Sequence, residues 1–225
     1  AGRPSFEHVS CGPTFAGHEV AAFSDDGRRL PPGVEGELRL RGPSVTSGYY
    51  GNKEATDATF TGGWLRTGDL GYLFDGEVYV TGRMKDLIIL NGRNLHPQAI
   101  EWIVADVKGV RKGNVVAFSR PGAASEELVI VLEAHDGDHT EMINEIKRLV
   151  RAEIGVPPVD VVCLEAGSLP KTSSGKLQRR KTREQYLRNS LGTEGTRTMG
   201  TRADAMTLAR HVVRSVWSRA KALMR

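Results

Sequence analysis

Eleven consecutive residues, Pro170-Lys171-Thr172-Ser173-Ser174-Gly175-Lys176-Leu177-Gln178-Arg179-Arg180, concentrate hydroxyls, a glycine and four cations. Such a turn can bind a phosphate or a transferring acyl phosphate, because it offers backbone donors and a point charge on a long stem. It is not a Walker loop, since the G-x-x-x-x-G-K-S/T spacing is absent. A solvated basic loop has the same composition, so the stretch alone does not choose between the two. Two further stretches bear on the choice: Thr67-Gly68-Asp69-Leu70-Gly71 and Thr81-Gly82-Arg83-Met84-Lys85-Asp86-Leu87-Ile88. A carboxylate in a glycine-flanked turn can accept both hydroxyls of a ribose, and an arginine after a strand can donate to the same sugar or its phosphate. Taken singly, each is a common turn. Together they suggest a nucleotide.

The elements that must position these residues divide into two textures. Over residues 17–80 short strands alternate with turn signals: HEVAAFS, EGELRLRG and GEVYVTG. Alternation at Glu37-Leu38-Arg39-Leu40-Arg41 puts both leucines on one face and the charges on the other. Residues 52–60 have helical composition and lead into a predicted loop over 64–69. After Gly82 strand and helix alternate: a strand at 87–90, a helix beginning after Pro97, strands at 115–119 and 128–134, an amphipathic helix over 140–153 and a strand at 159–164. That pattern predicts an α+β domain of about 100 residues, with a boundary at 82–86. Residues 192–201 read as a flexible linker, and 205–223 as a helix with one apolar and one basic face.

Composition narrows the function classes. The chain has 225 residues, 39% of them apolar and 26% charged, and a mean hydropathy of -0.33. Its apolar runs are too short to span a bilayer as a helix. Cys11 and Cys163 have no metal-ligand or redox spacing, which favours a reducing, cytoplasmic setting. The six histidines form no plausible catalytic order or metal cluster, so no metal site is expected and surface positions are. Residues 1–169 carry 17 Lys and Arg against 24 Asp and Glu, net -7, whereas residues 170–225 carry 14 against 3, net +11. A basic tail of this kind suits nucleic acid, a membrane surface, nucleotide phosphates or an acidic protein, and charge does not choose among them.

With these stretches in this order, the sequence resembles the adenylate-forming enzymes, which include acyl-CoA synthetases, peptide-synthetase adenylation domains and luciferases. The resemblance runs from about residue 9 to residue 188 through GELRLRGPSVTSGYYGNKEAT, GWLRTGDLGYL, GRMKDLIILNGRN and LPKTSSGKLQR. Within that group it looks most like the fatty acyl-AMP ligases. The resemblance implies that Asp69 binds the ribose, that Arg83 helps hold the ribose or α-phosphate, and that Lys85 is the hinge of a mobile small domain. It implies that Lys176 is the catalytic lysine of adenylation, and that Gly92, Arg93 and Asn94 belong to a loop serving acyl transfer. Residues 1–84 then correspond to the β-rich end of a large N-terminal domain, 85–188 to the small C-terminal α+β domain, and 189–225 to a linker and basic helix. The implied substrates are a fatty acid and ATP, and the implied acceptor is an acyl carrier protein or CoA, with no nucleic acid. Mg2+ is implied too, its ligand expected in the part of the large domain not recognisable here, so that the chain alone is expected to be inactive. Two alternatives stand beside this: a long-chain fatty acyl-CoA synthetase, and a non-catalytic module that docks on a carrier protein or membrane through its basic helix.

Overall fold

The computed structural model describes residues 7–122, 125–135, 137 and 139–192, so the expected terminal helix and nearly all of the expected linker lie outside the described residues. The described residues divide into two compact units: those up to 102 together with those between 121 and 126, and those of 103–120 together with those from 127 onward.

In the first unit the strands are β1 (Ser10–Pro13), β2 (Glu19–Phe23), β3 (Gly36–Arg41), β4 (Phe60–Thr61), β5 (Trp64–Phe74) and β6 (Glu77–Arg83). They form an antiparallel sheet in the order β1-β6-β5-β3-β2, with β4 paired to β5. Helix α1 (Lys53–Thr59) starts where the Asn52 side chain accepts the Ala55 N–H at 2.9 Å, a cap that satisfies one orphan donor of the first turn. The predicted loop over 64–69 is instead the first half of β5. Its pairing with β4 across Gly62 and Gly63 and with β3 on the other side supplies ladder partners that local sequence does not reveal.

Register on β2 and β3 sets Val20 opposite Leu40 and Ala22 opposite Leu38, as alternation requires. The opposite face of β3 is nevertheless not left to water: Glu37 and Arg39 are as buried as Leu38. Arg39 and Arg66 each donate from Nε to Glu37 Oε2 at 3.0 Å, and the Arg39 guanidinium lies 4.6 Å from the centre of the Phe23 ring. Pairing of this kind is what makes burial of the charges tolerable. The unit continues through a 3-10 turn (Met84–Asp86), the two-stranded β7 (Ile88–Leu90) and β8 (Arg93–Leu95), and most of α2 (Pro97–Ala105).

The second unit holds β9 (Val110–Pro121), β10 (Glu126–Ala134), α3 (Thr140–Ile154), β11 (Asp160–Leu164) and α4 (Arg179–Leu187), with sheet order β11-β10-β9. β10 and β11 are parallel, so α3 serves as the crossover between them. The central strand β10 is buried on both faces, which explains its unbroken apolar run. On one face Val129 and Val131 pack with Val116, Phe118 and Leu169, and Leu177 and Tyr186 close over that cluster. Burial of Ile146, Val150 and Ile154 on α3 contributes roughly 1.5 to 3 kcal/mol each.

Candidate functional site

Asp69 is placed by a bulge. Between the pairs Glu37–Leu70 and Arg39–Arg66, β3 advances two residues while β5 advances four, so residues 67–69 stand out of the ladder. Thr67 staples this bulge: its hydroxyl donates to the Leu38 carbonyl at 2.6 Å and accepts the Asp69 N–H at 3.0 Å. Gly68 adopts φ 70, a left-handed conformation that disfavours any side chain although nothing lies within 4 Å of where a Cβ would be. Asp69 is then the direct cross-strand partner of Arg83, the last residue of β6, and their side chains share a face. Arg83 Nε donates to Asp69 Oδ1 at 2.9 Å, with the arginine side chain 55% and the carboxylate 30% exposed. A carboxylate and a guanidinium, paired but open to water, can exchange part of their mutual contact for a sugar and its phosphate.

Lys85 follows within the 3-10 turn, exposed, and the turn closes through the Leu87 N–H on the Met84 carbonyl at 3.3 Å. Beyond it, Asn91 and Gly92, with φ 51 and 71, form the two-residue turn of the β7–β8 hairpin, since both left-handed positions suit that pair of residues. Gly92, Arg93 and Asn94 are therefore at the exposed tip and along one edge of a hairpin.

Lys176 lies in the second unit, in a tight return of chain. Bridge pairing between Lys171 and Leu177 is closed by the Thr172 N–H on the Lys176 carbonyl at 2.8 Å and the Gln178 N–H on the Pro170 carbonyl at 2.9 Å. The Thr172 hydroxyl accepts the Lys176 N–H at 3.0 Å, so the side chains of this Ser/Thr-rich loop organise its own backbone. Leu177 turns into the core while Lys176 remains exposed. Asp69, Arg83, Lys85 and residues 92–94 thus belong to one unit, and Lys176 to the other.

No family model matches the chain. It is 41% identical over 191 residues to a putative acyl-CoA synthetase from Caulobacter vibrioides, covering 83% of this chain and 33% of that protein. It is 37% identical over 198 residues to a medium-chain-fatty-acid–[acyl-carrier-protein] ligase from Moorena producens, with 81% and 33% coverage. Among solved structures it is similar to a fatty acyl-adenylate ligase from work on E. coli and L. pneumophila, at 35% identity and a TM-score of 0.71 over 81% of this chain and 33% of that one. Over more than 80% of its length the chain is thus related in sequence and fold to the adenylate-forming enzymes. It spans about a third of the length of the relatives it matches.

Three groups in this chain escape a reading by sequence. His96, expected at the surface, is half-buried and meets Glu35 at 3.3 Å, while the Thr81 hydroxyl donates to the same carboxylate. Hydrogen bonding from His96 and then Thr81 holds the Glu35 carboxyl below the usual range. Helix α4 follows directly on the Lys176 turn although its sequence, RRKTREQYL, has little apolar content. Its anchor is Tyr186, whose hydroxyl donates to Asp160 Oδ2 at 2.9 Å and accepts from Arg120 at 2.8 Å. Glu133 on β10 is buried in an otherwise apolar run, with no spacing to single it out. Among the described residues no group of three or more His, Cys, Asp or Glu is placed to hold a metal ion, and no helix is long and apolar enough to cross a membrane.

Proposed function

We propose that this chain is the C-terminal third of an ATP-dependent fatty acyl-AMP ligase. The observation that carries this reading is the exposed Asp69–Arg83 pair, held in place by the β5 bulge, in a chain whose relatives are named as fatty acid ligases. In the first half-reaction a carboxylate oxygen of the fatty acid attacks the α-phosphorus of MgATP, and pyrophosphate leaves. Asp69 accepts the ribose hydroxyls, and Arg83 donates to the ribose or α-phosphate. Lys176 brings its ammonium to the negative charge that develops as the bond to the α-phosphorus forms. Mg2+ balances phosphate charge, held by residues outside this chain. In the second half-reaction a phosphopantetheine thiol displaces AMP from the acyl group.

The pieces divide as residues 1–84, ending a large domain, and residues 85–188, a small mobile domain turning about Lys85, of which residues 85–102 pack with the first compact unit in this structure. Such a rotation exchanges the Lys176 turn for the hairpin tip with Gly92, Arg93 and Asn94 at the reacting acyl group. The carrier-protein acceptor is supported by the Moorena relative; the Caulobacter relative favours a second reading, with CoA as acceptor. The deciding experiment incubates the complete protein, its Lys176→Ala variant and the 225-residue chain with MgATP and a panel of fatty acids. Acyl-AMP and pyrophosphate are expected from the complete protein alone, and their absence there would refute the ligase reading. Supplying CoA or a carrier protein to that reaction separates the two acceptors.

A further inference from the structure

Glu133 is fully buried near the end of β10, on the strand face it shares with Val129 and Val131, and so on the side where Leu169 packs. A carboxylate there is costly unless its oxygens are bonded. Its bonds converge on the segment that enters the Lys176 turn. Oε1 accepts the Leu169 N–H at 3.0 Å, and the Gly167 N–H donates to the same carboxylate. Arg111 donates to Oε2 at 2.7 Å, and the Lys171 ammonium stands 3.9 Å from Oε1 while also donating to Asn114 Oδ1. Burial pushes the carboxyl up, but the bonds from Gly167, Leu169 and Arg111, together with the nearby charge of Lys171, outweigh it and hold the group below the usual range, so it is charged at neutral pH.

An irregular connection needs partners for its N–H groups, and two of those in residues 167–169 find theirs in this one side chain. The turn then closes on the anchored leg through the bond from Gln178 to Pro170 and through Leu177, which packs in the same cluster as Leu169. We propose that Glu133 is a positioning residue for Lys176: it ties one leg of the turn to the middle strand of the sheet, so that the lysine is delivered from a rigid base. This rests on the role given to Lys176 above. Reaction rates are sensitive to displacements of about 1 Å in a reacting group, so loosening that base slows adenylation without touching the transfer step.

The test uses the complete enzyme and measures pyrophosphate exchange with MgATP and fatty acid, beside transfer from preformed acyl-adenylate to a phosphopantetheine thiol. Glu133→Gln keeps the volume, but its NH2 must face either the Leu169 donor or Arg111. The expected result is a fall in the adenylation kcat of about 100-fold with the KM for ATP and the transfer rate within about twofold of wild type. Equal loss of both half-reactions, or no loss of either, would overturn the proposal. Should Glu133→Gln not fold, Lys171→Met removes the nearby charge, leaves all three of the carboxylate's hydrogen bonds in place and is expected to lower adenylation alone, about tenfold. Unchanged adenylation in that variant overturns the proposal as well. Lys176→Ala is run alongside: if it keeps the wild-type rate, the role of Lys176 fails, whereas an inactive Lys176→Ala beside an unaffected Glu133→Gln condemns the positioning role alone.

Discussion

Asp69 and Arg83 are cross-strand partners and each other's ion pair, but both are open to solvent, so their value to stability is small. Asp69→Asn should therefore change unfolding free energy by less than about 1 kcal/mol. In the complete enzyme it should raise the KM for ATP about tenfold, the equivalent of one charged hydrogen bond to the ribose, as read from pyrophosphate exchange at varied ATP. An unaltered KM would remove Asp69 from the nucleotide. Gly68 makes the opposite contrast. Because its left-handed backbone is strained for any residue with a Cβ while space is open, Gly68→Ala should cost about 1 to 2 kcal/mol in urea unfolding through conformation alone.

At the level of elements, the Lys176 turn is held from both sides, by β10 through Glu133 and by α4 through Tyr186. Tyr186→Phe removes a hydroxyl that joins Arg120 to Asp160, and should lower stability by about 1 to 3 kcal/mol in chemical denaturation. A loss below about 0.5 kcal/mol would mean that water replaces the phenol without cost. The 3-10 turn at Lys85 is the proposed pivot, and there Lys85→Pro should restrict φ and impair at least one half-reaction in a folded enzyme. If both run at wild-type rates, Lys85 is not the pivot.

For the whole molecule the depressed carboxyls of Glu35 and Glu133 predict acid sensitivity. Their ordinary value is 4.5, and in the folded state it is lower, so the unfolded chain takes up protons first. The stability they contribute is complete above that value and is lost as pH falls through their lower folded-state values. Urea midpoints of the chain should fall as pH drops through and below about 4.5, and fall less in Glu133→Gln, which has no proton to gain. Equal slopes in the two proteins would mean that Glu133 does not carry the effect.

Periodicity, composition and punctuation were enough to place β2, β3, β6, α1, α3 and β11 near their observed bounds, because alternation, helical composition or an amphipathic stripe is a local property of the chain. The stretches around Asp69, Arg83 and Lys176 were likewise legible, since glycines and hydroxyl residues next to a charge are written contiguously. The hairpin turn at Asn91-Gly92 went unread, because β8 was not anticipated. What tertiary structure decided was everything that depends on a second segment. The strand identity of residues 64–69 comes from β3 and β4, the burial of Glu37 and Arg39 from pairing with each other and with Arg66, and the helix at 179–187 from Tyr186 docking on residues far away in sequence. Glu133 is the extreme case: in the one-dimensional pattern it is a lone charge at the end of a strand, and only the fold brings two backbone N–H groups and two cations to it. A buried charge is stable only where its partners converge, and convergence across tens of residues is a property of the folded chain.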